Sequence, residues 1–498
     1  MKSNFILRSI FTAFLLFSAA ASAQNVSGTL VDNSTQKTIP FATVQLGENY
    51  GVVTNQEGNF SINTAGFSEK DSLIFSSMGY DRKAIALKDF ENGTVYLTKN
   101  VEELGEVLLL DEKLTALEVM EKVNENLAKN YNDSLIHFTV FKRYKNTSIP
   151  YQMRFDFKDK RDDFLDKKAI REINHSMDSL NRAMQNKTTS YYNSELVDVY
   201  FGESDSTKTR IVKAVTLVNE EESTSMENLQ ENVFGTLLRN LKSSNTFKVR
   251  TGIIPIEDSL DMNEILIEEE EIDSAFASPS QYRQHLSDFG FDEKKGMGFV
   301  TQLDDYEYTI EDISTFNGEL VYVISFQPDA GLFAGNGKMS GTMYVSADSF
   351  AVLMADYRFA EGEHGFNLNL KFIAGVAFKE KGKSGKIIFQ KNKNGKYIPK
   401  YLRKQRKAYV FFERNFVFKE NDERDDRMKI KFEMTIEMDQ NATQEWLVVA
   451  NEKITKAEFD AAEIRIGVQI QEISKYNPEI WKEYNILAPT EAIREYEY

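Results

Sequence analysis

The sequence predicts an α+β protein that is mainly β: a seven-strand N-terminal β-sandwich, then a large antiparallel sheet or half-barrel with packed helices. Two observations predict this class. Before residue 100, short apolar strands alternate with regular turn signals, and between Tyr306 and Met438 long runs carry an apolar residue at every second position. At 498 residues the chain exceeds the size of one compact core, so we expect several domains.

The large sheet has its clearest signature in residues 341–359, where two alternating runs flank the polar turn Ala347-Asp348-Ser349. Two earlier runs flank Asn317-Gly318, a dipeptide that accepts the positive φ angles of a tight hairpin turn. Residues 366–372 alternate apolar and polar side chains, which predicts a strand with one face toward a core. Residues 428–438 repeat this period, so we expect all four segments to pair in one sheet.

The first 23 residues have the organisation of a secretory signal peptide. Lys2 and Arg8 precede the apolar segment 10–20, and Ala21-Ser22-Ala23 offers a small-residue cleavage site. The apolar segment is too short for a membrane-spanning helix, and no later stretch is long and uncharged enough to be one. We therefore expect an exported protein, periplasmic or associated with the outer membrane. Because the chain has no cysteine, we expect neither a lipoprotein nor disulfides.

Four motifs in residues 24–99 carry a family resemblance. The motifs are residues 26–32, 39–44, 53–60 and 77–80. In this order they resemble the carboxypeptidase regulatory-like domain, a transthyretin-like sandwich found at the N-termini of exported Bacteroidetes proteins, including SusC-type TonB-dependent transporters. The resemblance implies an accessory module without peptidase activity. The sequence also lacks the His-x-x-Glu pair of a zinc carboxypeptidase, so we expect no metal.

The chain divides into four predicted parts. These are a signal peptide at 1–23, the sandwich at 24–99, a strand and helical connector at 100–145, and the large sheet domain with helices at 146–498. In the connector, Thr115 and Glu118 have the spacing of a capping box at a helix start. Further helices are predicted within 159–187 and 226–241, and the apolar residues of 478–498 are expected to dock a C-terminal segment.

Charge is distributed unevenly along the chain. The formal net charge of −17 disfavours nucleic acid as a partner. Residues 371–407 nevertheless contain thirteen basic residues and one acid, Glu380. The densest part of this basic segment predicts an anion-facing or lipid-facing surface. Its candidate residues are Lys400, Arg403, Lys404, Arg406 and Lys407. Alternatively, these cations pair with the chain's own acids, such as the acidic runs 268–271 and 422–426, or protect sheet edges.

No catalytic motif is present, and we expect no cofactor. The first hypothesis is a non-enzymatic envelope binding or scaffold protein. Its sandwich would be a docking module, its curved sheet would hold an apolar or anionic ligand such as lipid or lipopolysaccharide, and an outer-membrane protein is a further partner. The hairpins resemble the half-barrel of LolA/LolB-type carriers at the level of fold only. The alternative is an envelope hydrolase. A carrier predicts a cavity walled by Phe, Leu and Met, whereas a hydrolase predicts two carboxylates about 5–9 Å apart in a cleft with few apolar walls.

Overall fold

The computed structural model describes residues 25–47, 50–100, 114–131, 135–157, 167–185, 187–203, 206–218, 246–252, 254–260, 297–316, 319–329, 337–421, 429–465 and 468–496. The predicted signal segment 1–23, the predicted helix 226–241 and the acidic runs 268–271 and 422–426 lie outside these residues. Within the described ranges the chain is mainly β, as predicted.

Seven strands form the N-terminal region. They are Asn25–Asp32 (β1), Thr43–Leu46 (β2), Gly51–Val53 (β3), Asn59–Asn63 (β4), Ser72–Ser76 (β5), Lys83–Ala86 (β6) and Gly93–Leu97 (β7). One sheet has the order β4-β1-β7 and the other the order β3-β2-β5-β6. Phe60 of the first sheet meets Phe75 of the second, with ring centroids 5.5 Å apart. The predicted seven-strand sandwich is therefore confirmed.

The sequence motifs of the sandwich meet in its turns. Asp32 accepts a hydrogen bond from the Ser34 hydroxyl at 2.6 Å and, on its other oxygen, one from the Tyr80 hydroxyl at 2.9 Å. The bonds from Ser34 and its neighbours hold the pKa of Asp32 well below its usual range. Gly58 has a φ of +80°, and a Cβ there would lie 2.8 Å from Thr38, so only glycine fits this turn.

The second sheet is much larger and contains fourteen strands in the described part of the chain. They are Ile136–Phe157 (β8), Thr189–Phe201 (β9), Thr207–Leu217 (β10), Phe247–Thr251 (β11), Ile254–Leu260 (β12), Tyr306–Phe316 (β13), Glu319–Pro328 (β14), Met339–Ser346 (β15), Val352–Phe359 (β16), Asn367–Leu370 (β17), Val376–Lys391 (β18), Tyr397–Glu420 (β19), Lys429–Lys453 (β20) and Gln471–Ile473 (β21). The main path is β13-β14-β15-β16-β18-β19-β20-β8-β9-β10-β21, with β17 beside β18 and β11 beside β19. Along this path, β10 and β21 are parallel and the other pairs are antiparallel.

The hairpins predicted from the sequence are present. β15 and β16 pair around the turn at 347–349. β13 pairs with β14 so that Phe316 lies opposite Glu319, with residues 317–318 between them outside the described part. β8 begins at Ile136 and pairs with β20 up to Phe157. This strand therefore spans the boundary that we place at residue 145.

Six α-helices accompany the sheets in the ranges described. They are Ala116–Tyr131 (α1), Lys167–Met184 (α2), Gly298–Thr301 (α3), Lys371–Ala374 (α4), Lys456–Ala461 (α5) and Glu491–Arg494 (α6). The predicted capping box of α1 is confirmed, because Glu118 accepts from the Thr115 amide at 2.7 Å and Thr115 accepts from the Glu118 amide at 3.3 Å. α1 packs against the sheet, where the Tyr131 hydroxyl donates to the Val352 carbonyl at 2.7 Å. None of the described helices combines the length and apolar composition that a bilayer span requires.

The segment 366–372 forms a shorter strand than its alternation predicts. β17 ends at Leu370, and α4 then leads the chain into β18 through Gly375, which has a φ of +64°. Phe366 and Phe372 are exposed. The prediction that this segment turns its apolar face to a core is wrong for these two residues, because Phe366 precedes the strand and Phe372 lies in the following helical turn.

The sandwich and the large sheet share one hydrophobic core. Its members include Leu30, Val44, Phe60 and Phe75 of the sandwich and Phe141, Val197, Tyr357, Tyr401 and Leu447 of the sheet. The C-terminal segment packs between the two, with Trp481 and Leu487 buried as predicted. Asn55 donates to the Pro489 carbonyl at 3.1 Å from one side, and Arg143 donates to the Ala488 carbonyl at 3.3 Å from the other.

Candidate functional site

The five basic residues predicted to form one surface lie on β19, in the middle of the large sheet. Successive side chains of a strand point to opposite faces of its sheet. Arg403 pairs in register with Lys386 and Glu445, and Lys407 lies two pleats further along the same face. Lys404 and Arg406 therefore lie on the opposite face. The alternation of the strand divides the predicted surface in two.

Lys400 belongs to neither surface. Its side chain is buried, and Nζ donates to the Gly51 carbonyl at 2.7 Å and to the Val448 carbonyl at 2.8 Å. Burial lowers its pKa to about 7, because the charged ammonium loses its hydration. The prediction that Lys400 faces an anionic ligand is wrong, since this side chain connects the sandwich to the sheet.

Several cations of the basic segment pair with the chain's own acids. Arg406 donates to Glu380 at 2.8 Å, and its guanidinium lies 5.2 Å from the ring centroid of Phe378. Four further ion pairs join Lys371 to Glu437, Lys381 to Asp439, Lys386 to Asp356 and Lys391 to Glu319. Internal pairing, the alternative drawn from the sequence, accounts for these five cations.

A cleft of about 560 Å³ lies over the exposed face of β13 to β16 and β18. Strand alternation builds it, because side chains two residues apart share a face. Its charged lining consists of Glu307, Glu311, Asp356, Arg358 and Lys386. Tyr357, between Asp356 and Arg358, and Phe326, between the lining residues Ser325 and Gln327, have side chains buried on the other face.

Hydrogen bonds order the acidic wall of the cleft. The Ser325 hydroxyl donates to Glu311 at 2.5 Å, and the Gln327 amide donates to Glu307 at 2.8 Å. Each pair joins β13 to β14, whose antiparallel register brings the side chains together. The acidic wall is therefore fixed in place before any ligand arrives.

The basic wall of the cleft adjoins the sandwich. Lys386 Nζ lies 2.5 Å from Asp356 and 5.7 Å from the ring centroid of Phe41 in the sandwich. Arg403 stands opposite Lys386 in register, so the polar face continues from the cleft along β19. Arg358 is exposed, and its side chain makes no hydrogen bond or ion pair to a described residue. With respect to these residues, its guanidinium is available to a ligand.

The cleft residues were missed by reasoning from the sequence. With 77 acids in the chain, the sequence offered no reason to select Glu307, Glu311 and Asp356. The available signal was the period of two in 306–316, which places Glu307, Thr309 and Glu311 on one side of the alternation. The expected cavity walled by Phe, Leu and Met does not occur here, because the side chains that line this cleft are mostly polar. Nowhere in the described ranges do three His, Asp or Glu side chains lie close enough to hold a metal ion.

The fold and the cleft together define a two-part β protein, a sandwich joined to an open sheet with a polar cleft beside the junction. A family model for the CarboxypepD_reg-like domain matches residues 26–109. The N-terminal sandwich is therefore a CarboxypepD_reg-like domain, as its motifs indicated.

Other comparisons add little about the rest of the chain. No curated protein matches its sequence. Among solved structures, a LolA superfamily protein from Nitrosomonas europaea matches with 8% identity and a TM-score of 0.17, covering 70% of this chain and 99% of its own. A TM-score of this size carries no argument about fold or function.

Proposed function

We propose that the protein is a non-enzymatic binding protein of the cell envelope and that the polar cleft beside the sandwich is its ligand site. The polar lining of the cleft is the observation that carries this proposal. Ligand sites usually have apolar walls with a few polar groups, so a mostly polar cleft favours a ligand covered with hydroxyl and charged groups. The ligand class that fits is an acidic saccharide, such as the sugar portion of lipopolysaccharide or an acidic polysaccharide.

The arrangement of the cleft supports such a ligand. Glu307 and Glu311 offer acceptors for sugar hydroxyls, and the hydroxyls of Thr309 and Thr342 offer further donors and acceptors. The exposed guanidinium of Arg358 suits a ligand carboxylate or phosphate, which it can bind with two parallel hydrogen bonds. A lipid tail finds no matching apolar wall, so we do not propose the cleft as a lipid cavity.

We propose that the sandwich contributes a wall to this site and is not a freely moving docking module. Phe41 approaches Lys386 of the cleft, and Lys400 ties the sheet to the Gly51 carbonyl. The predicted leader supports export to the periplasm or outer membrane. An outer-membrane partner is compatible with this location, since one face of the sandwich could still contact it.

The test is calorimetric titration of the full mature chain with acidic oligogalacturonides and with neutral cello-oligosaccharides. We expect binding of the acidic series and a loss of about tenfold in Arg358→Ala, because one charge-assisted bidentate contact is removed. Arg82→Ala, an exposed arginine of the sandwich, is the matched control and should bind as the wild type does. Equal affinities in Arg358→Ala and the wild type would refute the assignment of the cleft.

A second candidate function is an envelope hydrolase. It is favoured by the three carboxylates Glu307, Glu311 and Asp356 in a cleft with few apolar walls. The same oligosaccharides distinguish the two functions. Release of new reducing ends by the wild type, abolished in Glu311→Gln, would replace the binding proposal with the hydrolase.

A further inference from the structure

We propose that the connection between β17 and β18 is a membrane contact, where Phe372 and Ile373 insert into the interfacial layer of a bilayer with anionic headgroups. The relative exposure of Phe372 is 103% and that of Ile373 is 87%. Phe366, which immediately precedes β17, is 61% exposed. Single exposed apolar residues are ordinary on protein surfaces. Two adjacent large ones that are almost fully exposed form an apolar patch, and covering this patch removes its surface from water.

Backbone contacts hold Phe372 and Ile373, here called the apolar tip, in a fixed position. The Glu413 amide donates to the Gly375 carbonyl at 2.6 Å, and Arg414 donates to the Ala374 carbonyl at 2.7 Å. A Cβ at Gly375 would lie 1.9 Å from the Glu413 carbonyl oxygen, so the close approach of the two strands requires glycine. The tip is thus presented on a rigid base, and insertion requires no ordering of the loop.

The size of the tip favours a lipid surface over a protein partner. A stable protein interface buries about 800 Å² on each side. One Phe and one Ile side chain supply about half of that area, since even an aromatic side chain buries only about 150–250 Å². A bilayer requires no complementary shape, and it accepts a small apolar tip flanked by cations.

The charges beside the tip fit anionic headgroups. Lys371 immediately precedes Phe372, and its Nζ lies 3.5 Å from Glu437. Lys379 is exposed on the strand that leaves the tip. Glu413 is the exposed acid on the neighbouring strand, beside Arg414. Around the tip, Lys371, Lys379 and Arg414 outnumber Glu413 and Glu437, so anionic lipid should strengthen binding that the apolar residues provide.

This inference is independent of the proposed ligand cleft. The cleft lies over β13 to β16 and the C-terminal half of β18 near Lys386. The tip lies before the start of β18 at Val376, in its connection to β17. Failure of saccharide binding would leave the membrane contact intact, and the reverse also holds.

The experiment is vesicle flotation with the full mature chain, using phosphatidylcholine vesicles with and without phosphatidylglycerol. The probe variant is Phe372→Trp, because the native Trp446 and Trp481 are buried and give a constant background. We expect the emission of Phe372→Trp to shift to shorter wavelength on addition of vesicles and to be quenched by brominated lipid. The double variant Phe372→Ser/Ile373→Ser should partition about a hundredfold more weakly.

Leu117→Ser on α1 is the matched control, since Leu117 is another exposed apolar residue and its loss should leave partitioning unchanged. The double variant should keep the thermal transition of the wild type, because both side chains are already in water. Unchanged emission of Phe372→Trp with vesicles would overturn the proposal. So would equal partitioning of the double variant, or self-association of the wild type that the double variant abolishes.

Discussion

At the scale of single residues, the buried Lys400 has the clearest consequence. Its ammonium is surrounded by protein, and the two carbonyl oxygens of Gly51 and Val448 are its hydrogen-bond partners. Burial brings its pKa to about 7 in the folded protein, while an unfolded lysine has a pKa of about 10.4. Between pH values of about 7 and about 10.4, the Lys400 side chain is therefore mostly protonated in the unfolded chain and mostly neutral in the native protein. The free energy of unfolding contributed by Lys400 therefore rises with pH, and its burial cost is largest below pH 7.

We predict that Lys400→Met removes this pH dependence. The variant loses both hydrogen bonds at every pH. The diagnostic quantity is therefore how the difference in unfolding free energy between the wild type and the variant changes with pH. Between about pH 7 and pH 9, the unfolding free energy of the wild type should gain up to about 1.4 kcal/mol per pH unit over that of the variant. Urea denaturation at several pH values measures this difference.

Lys407→Met is the control for this prediction, because Lys407 lies on the same strand with its side chain exposed. Its difference from the wild type should stay constant with pH. A constant difference for Lys400→Met as well would mean that Lys400 remains protonated in the folded protein.

At the scale of elements, α2 shows how a helix completes a sheet edge. β9 pairs with β8 only from Ile136 to Ser148, so the outer edge of β8 is open beyond this point. Asn181 of α2 accepts from the Phe155 amide at 2.9 Å and donates to the Phe155 carbonyl at 3.3 Å. The side-chain amide of Asn181 thereby makes the two backbone hydrogen bonds that a neighbouring strand would make to Phe155.

We predict that Asn181→Ala exposes this strand edge. The backbone groups of Phe155 lose both partners, which should cost about 1–2 kcal/mol and speed exchange of the Phe155 amide hydrogen about tenfold. Hydrogen exchange followed by mass spectrometry or NMR reads this position. Asn126→Ala serves as the control, because the Asn126 amide bonds to Lys122 within its own helix. Unchanged exchange at Phe155 would show that α2 does not protect the edge.

The sequence predicted this helix within 159–187 but not this contact. Ile173 and Met177, four residues apart on α2, are buried, so the apolar side of the helix packs on the protein. The period of about 3.6 residues reveals which side of a helix is apolar. It does not reveal which strand edge that helix reaches, because Asn181 and Phe155 are brought together only by the fold.

At the scale of the whole molecule, the C-terminal segment joins the sandwich and the large sheet into one cooperative structure. The Asn63 amide of the sandwich donates to Asn485 at 2.8 Å, and both residues are buried. Lys213 of β10 donates to the Ile480 carbonyl at 2.6 Å. Together with the shared core, these contacts couple the folding of the sandwich to that of the large sheet.

We therefore predict a single unfolding transition in differential scanning calorimetry. Asn485→Ala should lower its midpoint, because the buried Asn63 amide loses its acceptor at a cost of about 1–3 kcal/mol, and the transition should remain single. Asn421→Ala, at an exposed site just after the end of β19, should change the midpoint less. Two separate transitions in the wild type, with only one shifted in Asn485→Ala, would contradict the shared core.

Short-range signals in the sequence are enough to predict the local elements of this protein. The turn at 347–349, the capping box at Thr115 and the motifs of the sandwich depend on neighbours within a few residues, and all three are present in the fold. Local geometry depends on φ and ψ preferences and on short hydrogen bonds, so nearby residues suffice to predict it.

Which residues cover each face of these elements depends on the folded chain. Alternation along β19 shows that Arg403 and Lys407 share one face and Arg406 the other, but not that the sandwich buries Lys400 or that Glu380 pairs with Arg406. It likewise left the acidic wall of the cleft unmarked among 77 acids. The physical reason is that burial and pairing depend on what covers a face, and the covering residues come from distant parts of the chain.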